Sequence, residues 1–139
     1  RELVGVPRLH LERADATDPA TLARLDGTVD VVVTNPPYVP ADEMPTQPEA
    51  SADPHSALYG GSSDGTDIPV RIIGRCLTLL RPGGVLLMEH SPSQARPLRE
   101  RARAVGMCDV STAHDLAGRA RFLRARLPQS TPAGASVTQ

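Results

Sequence analysis

The stretch VDVVVTNPPYVP, residues 29 to 40, sets an asparagine, two prolines and a tyrosine at the end of an apolar run. Val29, Val31, Val32 and Val33 have the pattern of a buried strand. Pro36 and Pro37 forbid its continuation, because neither can donate to a sheet ladder. Asn35 is then left at the strand's C-terminal tip between stiff backbone segments. Its primary amide both donates and accepts, and a proline-fixed carbonyl is a second acceptor. Together they could hold a planar NH2 group by both hydrogens, with its nitrogen facing an electrophile. Conjugated nitrogens are poor nucleophiles, so such a slot would act through proximity and orientation, with Tyr38 as one wall. An isolated Asn-Pro-Pro reads more often as a simple turn. The strand tip, the tyrosine and the long loop that follows favour the slot.

Other reactive residue types are sparser. Glu89 and His90 end a later apolar run, and the expected role of the pair is to orient backbone or substrate rather than to move protons. His10, His55 and His114 are scattered, so no metal site is expected. Cys76 and Cys108 lack clustered ligands and read as small buried hydrophobes.

The elements that would position these groups follow from periodicity. PRLHLERAD (7–15) alternates as a half-buried strand, and DPATLARL (18–25) reads as a short helix with Asp18 as N-cap and Pro19 in its first turn. TVDVVVTN is apolar enough for a strand covered on both faces. Residues 36–66 show no period, and a loop that long is usually functional. DIPVRIIGRCLTLL (67–80) is helical, VLLMEH (85–90) a strand, and SPSQARPLRERARAVG (91–106) a helix stopped by Gly106. CDVSTAHD and RFLRARL close the fold as strands joined by DLAGRA, in which Asp115 should bond local amides or an arginine. Strands alternating with helices predict a layered α/β fold with a mostly parallel sheet and helices on both faces. Ligands in such sheets bind beyond the strands' C-terminal ends, so Asp15, Asn35, Glu89 and His90 should gather along one rim.

Composition excludes several classes. The chain has 139 residues, is 40% hydrophobic and carries a net charge of −1, which argues against disorder and against a strongly basic protein. All 15 basic residues are arginine, and Phe122, Tyr38 and Tyr59 are the only aromatics, poor equipment for stacking bases. No apolar run approaches the ~20 residues of a membrane span and no signal peptide is visible, so a cytoplasmic location is expected.

Taken together, ERAD (12–15), VDVVVTNPPYVP (29–40), DPHSALYGGSSDGTDIPVRII (53–73), LLRPGGVLLMEHSPSQ (79–94) and DLAGRARFLRARL (115–127) resemble the release factor glutamine methyltransferase family. The resemblance implies a partial class I, Rossmann-like fold dependent on S-adenosylmethionine as methyl donor. It implies transfer to the side-chain amide nitrogen of a glutamine in a Gly-Gly-Gln-bearing peptide-chain release factor, which would be the partner. By position, Asn35, Pro36, Pro37 and Tyr38 would bind the substrate glutamine, with Asn35, Pro36 and Tyr38 as the catalytic group. Asp15 and Ala16 would lie at the adenine end of the donor site, with Asn35 near its methyl.

Two departures stand out. Ser91 replaces the usual glycine of the turn after Glu89-His90. The family's glycine-rich donor loop and ribose-binding acid are also missing, since YGGSSDG (59–65) lacks G-x-G-x-x-G spacing and reads as part of a substrate loop. The chain is therefore expected to be the C-terminal part of a catalytic domain over 1–127, with a disordered tail at 128–139. An adenine-specific nucleic-acid methyltransferase would use the same slot. However, Asp42, Glu43, Glu49, Asp53, Asp64 and Asp67 crowd the loop that would meet phosphate, so no direct nucleic-acid binding is expected. The eight arginines of 96–126 read as solvated surface. An inert fragment keeping only partner contacts is the other alternative.

Overall fold

A computed structural model describes residues 8–44 and 58–129 of the chain. Its centre is a parallel β-α-β unit. Strand β1 (Val29–Thr34) leads through the long loop to helix α1 (Asp67–Leu79), which passes directly into β2 (Leu80–Glu89). Residues 31 to 34 of β1 run alongside 85 to 88 of β2, with Val32 opposite Leu86 and Thr34 opposite Met88. A turn of 3-10 helix (Pro92–Gln94) starts helix α2 (Ala95–Ala104), and a hairpin of β3 (Cys108–His114) and β4 (Ala120–Arg126) follows.

The sheet order is β1-β2-β4-β3. The layered α/β class holds, but the expected mostly parallel sheet is mixed: β1 and β2 are parallel, while β4 pairs antiparallel with both β2 and β3. The short link between the last strands forces this, because only antiparallel neighbours can be joined by a tight turn. Asp115 builds that turn by accepting from the amides of Ala117 and Arg119, as expected.

Side chains alternate across the sheet, and one face carries the core. Leu86, Met88, Leu123 and Ala125 are fully buried there against Ile73 and Cys76 of α1 and Leu98 and Ala102 of α2. Each large aliphatic side chain so removed from water contributes about 1.5–3 kcal/mol. The expectation of helices on both faces, and of β1 covered on both sides, is not met among the described residues. Val31 is 52% and Val33 76% exposed on the opposite face. Continuous valines cannot distinguish a strand buried on two faces from one whose second face is open.

The expected strand at 7–15 does not form over its described residues. Leu9 and Leu11 are almost fully exposed, and residues 8–15 make no ladder with β1. Alternation alone provides no partner for a strand's backbone groups. The expected helix at 18–25 is a series of turns ending in one 3-10 turn (Ala23–Leu25) whose N-cap is Leu22 rather than Asp18, while Asp18 accepts from the Ala20 amide within the preceding turn. This segment is anchored to α1 by the buried Arg75, which donates to the Thr21 carbonyl and to Asp26, both at 2.8 Å. The Gly27 amide also bonds the Thr78 carbonyl. These anchors fix where Asp15 and Ala16 stand. Residues 130–139 of the expected tail lie outside the described residues.

Candidate active site

The ladder fixes the site's frame. Because Thr34 is level with Met88, the residues that follow them, Asn35 and Glu89, emerge at the same end of neighbouring parallel strands. Asn35 is exposed, Pro36 is buried, and Pro37 and Tyr38 are half-buried. The chain therefore leaves the sheet by burying one proline and presenting the asparagine amide to solvent.

Tyr38 turns back over the rim, and its hydroxyl donates to Glu89 Oε1 at 2.7 Å. Burial, reinforced by the Glu89 hydrogen bond, pushes its phenol up to about 12. Tyr38 is thus a neutral, fixed wall at neutral pH. Next to it, His90 is buried, with Nδ1 2.7 Å from the Ser91 carbonyl and its own amide bonded to the Arg121 carbonyl. A carbonyl only accepts, so Nδ1 carries the proton. Burial holds the imidazole below its ordinary value, with smaller contributions from Arg121 and Arg99 in the same direction. Glu89 and His90 are thus each engaged in a hydrogen bond within the chain.

Asp15 sits in a turn rather than at a strand tip. Its Oδ1 accepts from the Thr17 amide at 2.8 Å and the Thr17 hydroxyl at 2.7 Å, and these bonds hold the carboxyl below the usual range. Asp15, Ala16, Thr17, Pro37, Ile68 and Arg71 line one crevice of about 530 Å³. Residues from both ends of the expected site thus line one cleft. Apolar Pro37 and Ile68 in one crevice with a charged carboxylate suit a nucleoside, which is apolar on its faces and polar at its edges. These residues fit the adenosine end of a methyl donor.

The second wall comes from the loop over residues 58–66. Val39 forms a bridge with Tyr59. The Val39 amide donates to the Leu58 carbonyl, Gly60 to Val39, and Ala41 to Ser63. The glycine-rich YGGSSDG stretch therefore packs on the Asn-Pro-Pro-Tyr exit. Asp42, Glu43 and Asp64 line a further crevice on this side, while Glu49 and Asp53 lie outside the described residues. Sequence reasoning missed Gln94, which is 2% exposed and bonds the carbonyls of both Tyr38 and Asp64. A polar residue on the apolar side of a helix start was the available signal. Much of the arginine-rich surface is engaged locally, as in Arg96 with Glu100 and Arg119 with Asp115. Among the described residues no group of three ligand-type side chains could hold a metal, and no helix is long and apolar enough to cross a membrane.

No protein-family model matches the chain. It is 60% identical over 115 residues to the release factor glutamine methyltransferase of Bifidobacterium longum, covering 82% of this chain and 39% of that protein. The protein of the same name from Mycobacterium tuberculosis is 41% identical over 127 residues, covering 90% and 41% respectively. That from Corynebacterium glutamicum is 39% identical over 122 residues, covering 86% and 43%. The chain thus spans about two fifths of the length of these curated relatives. Among solved structures it is similar to the antibiotic-resistance methyltransferase Kmr, with a TM-score of 0.46 and 19% identity over 84% of this chain and 57% of that one.

Proposed function

The chain is a homologue of the release factor glutamine methyltransferases, and on that premise we propose that it forms the substrate-holding part of an enzyme that methylates a glutamine side-chain nitrogen in a peptide-chain release factor. The observation that carries this reading is the exposed Asn35 amide at the tip of β1, flanked by the buried Pro36 and the anchored Tyr38.

Each residue has a distinct task. The Asn35 amide accepts one hydrogen of the substrate NH2 group, and the Pro36 carbonyl accepts the other. Two acceptors in one plane fix the amide plane and leave the nitrogen's face free, so orientation supplies most of the rate gain. Tyr38 stays neutral and closes one side of the slot. Asp15 and Ala16 hold the adenosine end of S-adenosylmethionine, and Asn35 lies toward the reacting methyl. When bound, that donor supplies an electrophilic methyl group carried on a sulfonium. The nitrogen held by Asn35 and Pro36 would take that methyl as its bond to sulfur breaks, and the cationic amide so formed would be acidic enough to lose its extra proton to solvent.

A protein rather than a nucleic acid is the substrate because Asp42, Glu43 and Asp64 line a crevice shared with Gln94, whose amide bonds the Tyr38 carbonyl. They repel a phosphate backbone and attract a basic protein surface. The test is to incubate the protein carrying this chain with labelled donor and either a release factor or adenine-containing DNA. Label on the Gly-Gly-Gln glutamine supports the reading. Label on adenine alone contradicts it.

A further inference from the structure

Gln94 lies at the start of α2, away from the substrate slot in sequence. Its side chain nevertheless uses both amide hydrogens and its carbonyl at once. Nε2 donates to the Tyr38 carbonyl at 2.6 Å and to the Asp64 carbonyl at 2.7 Å, while Oε1 accepts from the Ser91 amide at 3.0 Å. Three segments distant in sequence meet at one buried amide: the exit of β1, the glycine-rich loop and the capping box of the turn before α2.

The surroundings leave little room for adjustment. A Cβ on Gly65, which has φ +75°, would stand 2.2 Å from the Tyr38 carbonyl oxygen and 2.7 Å from Gln94 Nε2. The loop therefore approaches as closely as glycine permits, and it does so where Gln94 bridges the two carbonyls. Backbone bonds from Val39 to Leu58 and from Gly60 to Val39 close the same junction from its other side.

We propose that Gln94 is a positioning residue for methyl transfer, a buried bridge that fixes Tyr38, and through it the Asn35-Pro36 slot, relative to the loop over residues 58–66. Gln94 touches neither substrate nor donor in this account, and it acts through the backbone carbonyl of Tyr38. The catalytic part of the claim rests on the proposed function, whereas the positional part does not.

Gln94→Glu separates this role from simple packing. The variant keeps the side chain's length and its acceptor for the Ser91 amide. It loses both donors, and its carboxylate would face two carbonyl oxygens. That environment raises the folded-state pKa above the usual ~4.3. The variant is then closest to wild type below about pH 4 and falls away as pH rises through the folded value.

In the protein carrying this chain, three quantities would be measured near neutral pH: amide exchange by site, donor affinity, and kcat with a release factor. Exchange at Val39 and Gly60 should quicken at least ~10-fold, while that of Leu86 and Met88 in β2 holds. Turnover should fall roughly 10- to 100-fold, as for a small displacement of reacting groups, with donor affinity unchanged. The local exchange effect should shrink when both proteins are compared in acid. Uniformly faster exchange would reduce Gln94 to a stability residue and overturn the proposal, as would unchanged exchange at Val39 and Gly60 or unchanged turnover. If wild type itself transfers no methyl to glutamine, the proposed function fails, and exchange alone decides the positional claim.

Discussion

The hydroxyl of Tyr38 and the carboxylate of Glu89 are joined at 2.7 Å although 51 positions separate them in the chain. The bond links the loop leaving β1 to the tip of β2, so the two strand ends behave as one rim. Tyr38→Phe removes the donor and leaves a half-buried carboxylate without it. A cost of about 1 kcal/mol is expected at neutral pH, low in the usual range because the pair is partly solvated. The alkaline limb gives the sharper check. Burial, with the Glu89 bond, pushes the phenol up to about 12 from 10.0, so the neutral form is the one the fold favours. That stability is complete below pH ~10 and is lost as pH rises through 12. Chemical denaturation across this window should show wild type declining relative to Tyr38→Phe, and parallel curves would contradict the bond.

His90 makes the opposite prediction in acid. Burial favours its neutral ring and depresses the folded pKa below 6.5. A depressed value means the unfolded chain binds the proton first, so stability is full above pH ~6.5 and is lost as pH falls through the folded value. His90→Asn keeps a donor for the Ser91 carbonyl but cannot titrate. Melting temperatures from pH 7.5 down to 4.5 should converge or cross, with wild type falling faster. An unchanged gap over that range would show that His90 is not a buried neutral group.

Gly65 and Gly27 form a matched pair. Both have positive φ, +75° and +73°, but a Cβ on Gly27 would meet nothing within 4 Å, whereas on Gly65 it would strike the Tyr38 carbonyl. Gly27→Ala should therefore cost only the left-handed strain, about 1 kcal/mol. Gly65→Ala adds a collision with backbone and should cost at least ~2–3 kcal/mol. Urea midpoints measured side by side test this, and equal losses would mean that the loop does not press on the substrate exit.

Much of this arrangement could be read from the chain. Pro36 and Pro37 stop β1, and the expected bounds of that strand (28–35) and of α1 (67–80) each stand within a residue of those observed. Asn35 and Glu89 were expected on one rim, and the parallel register of β1 and β2 brings their positions together. What stayed hidden depends on partners rather than on local pattern. Leu9 and Leu11 alternate like a strand, but alternation says nothing about whether a neighbouring edge is present. Val33 looks as buried as Val32 in sequence, and only the one-sided packing of α1 and α2 separates them. Gln94 showed only its place on the apolar side of a helix start, and its two carbonyl partners, 56 and 30 positions away, could not be read from the chain.

The central claim is that Asn35 orients the nitrogen that receives the methyl group. Its most direct test compares wild type with Asn35→Ala in the protein carrying this chain, measuring kcat for glutamine methylation in a release factor and, separately, the dissociation constant of S-adenosylmethionine. Asn35 is exposed at a strand tip, so the substitution should leave the fold intact. A turnover reduced roughly 100-fold or more, with donor affinity changed by less than about threefold, is the result predicted here. Turnover equal to wild type would contradict the account.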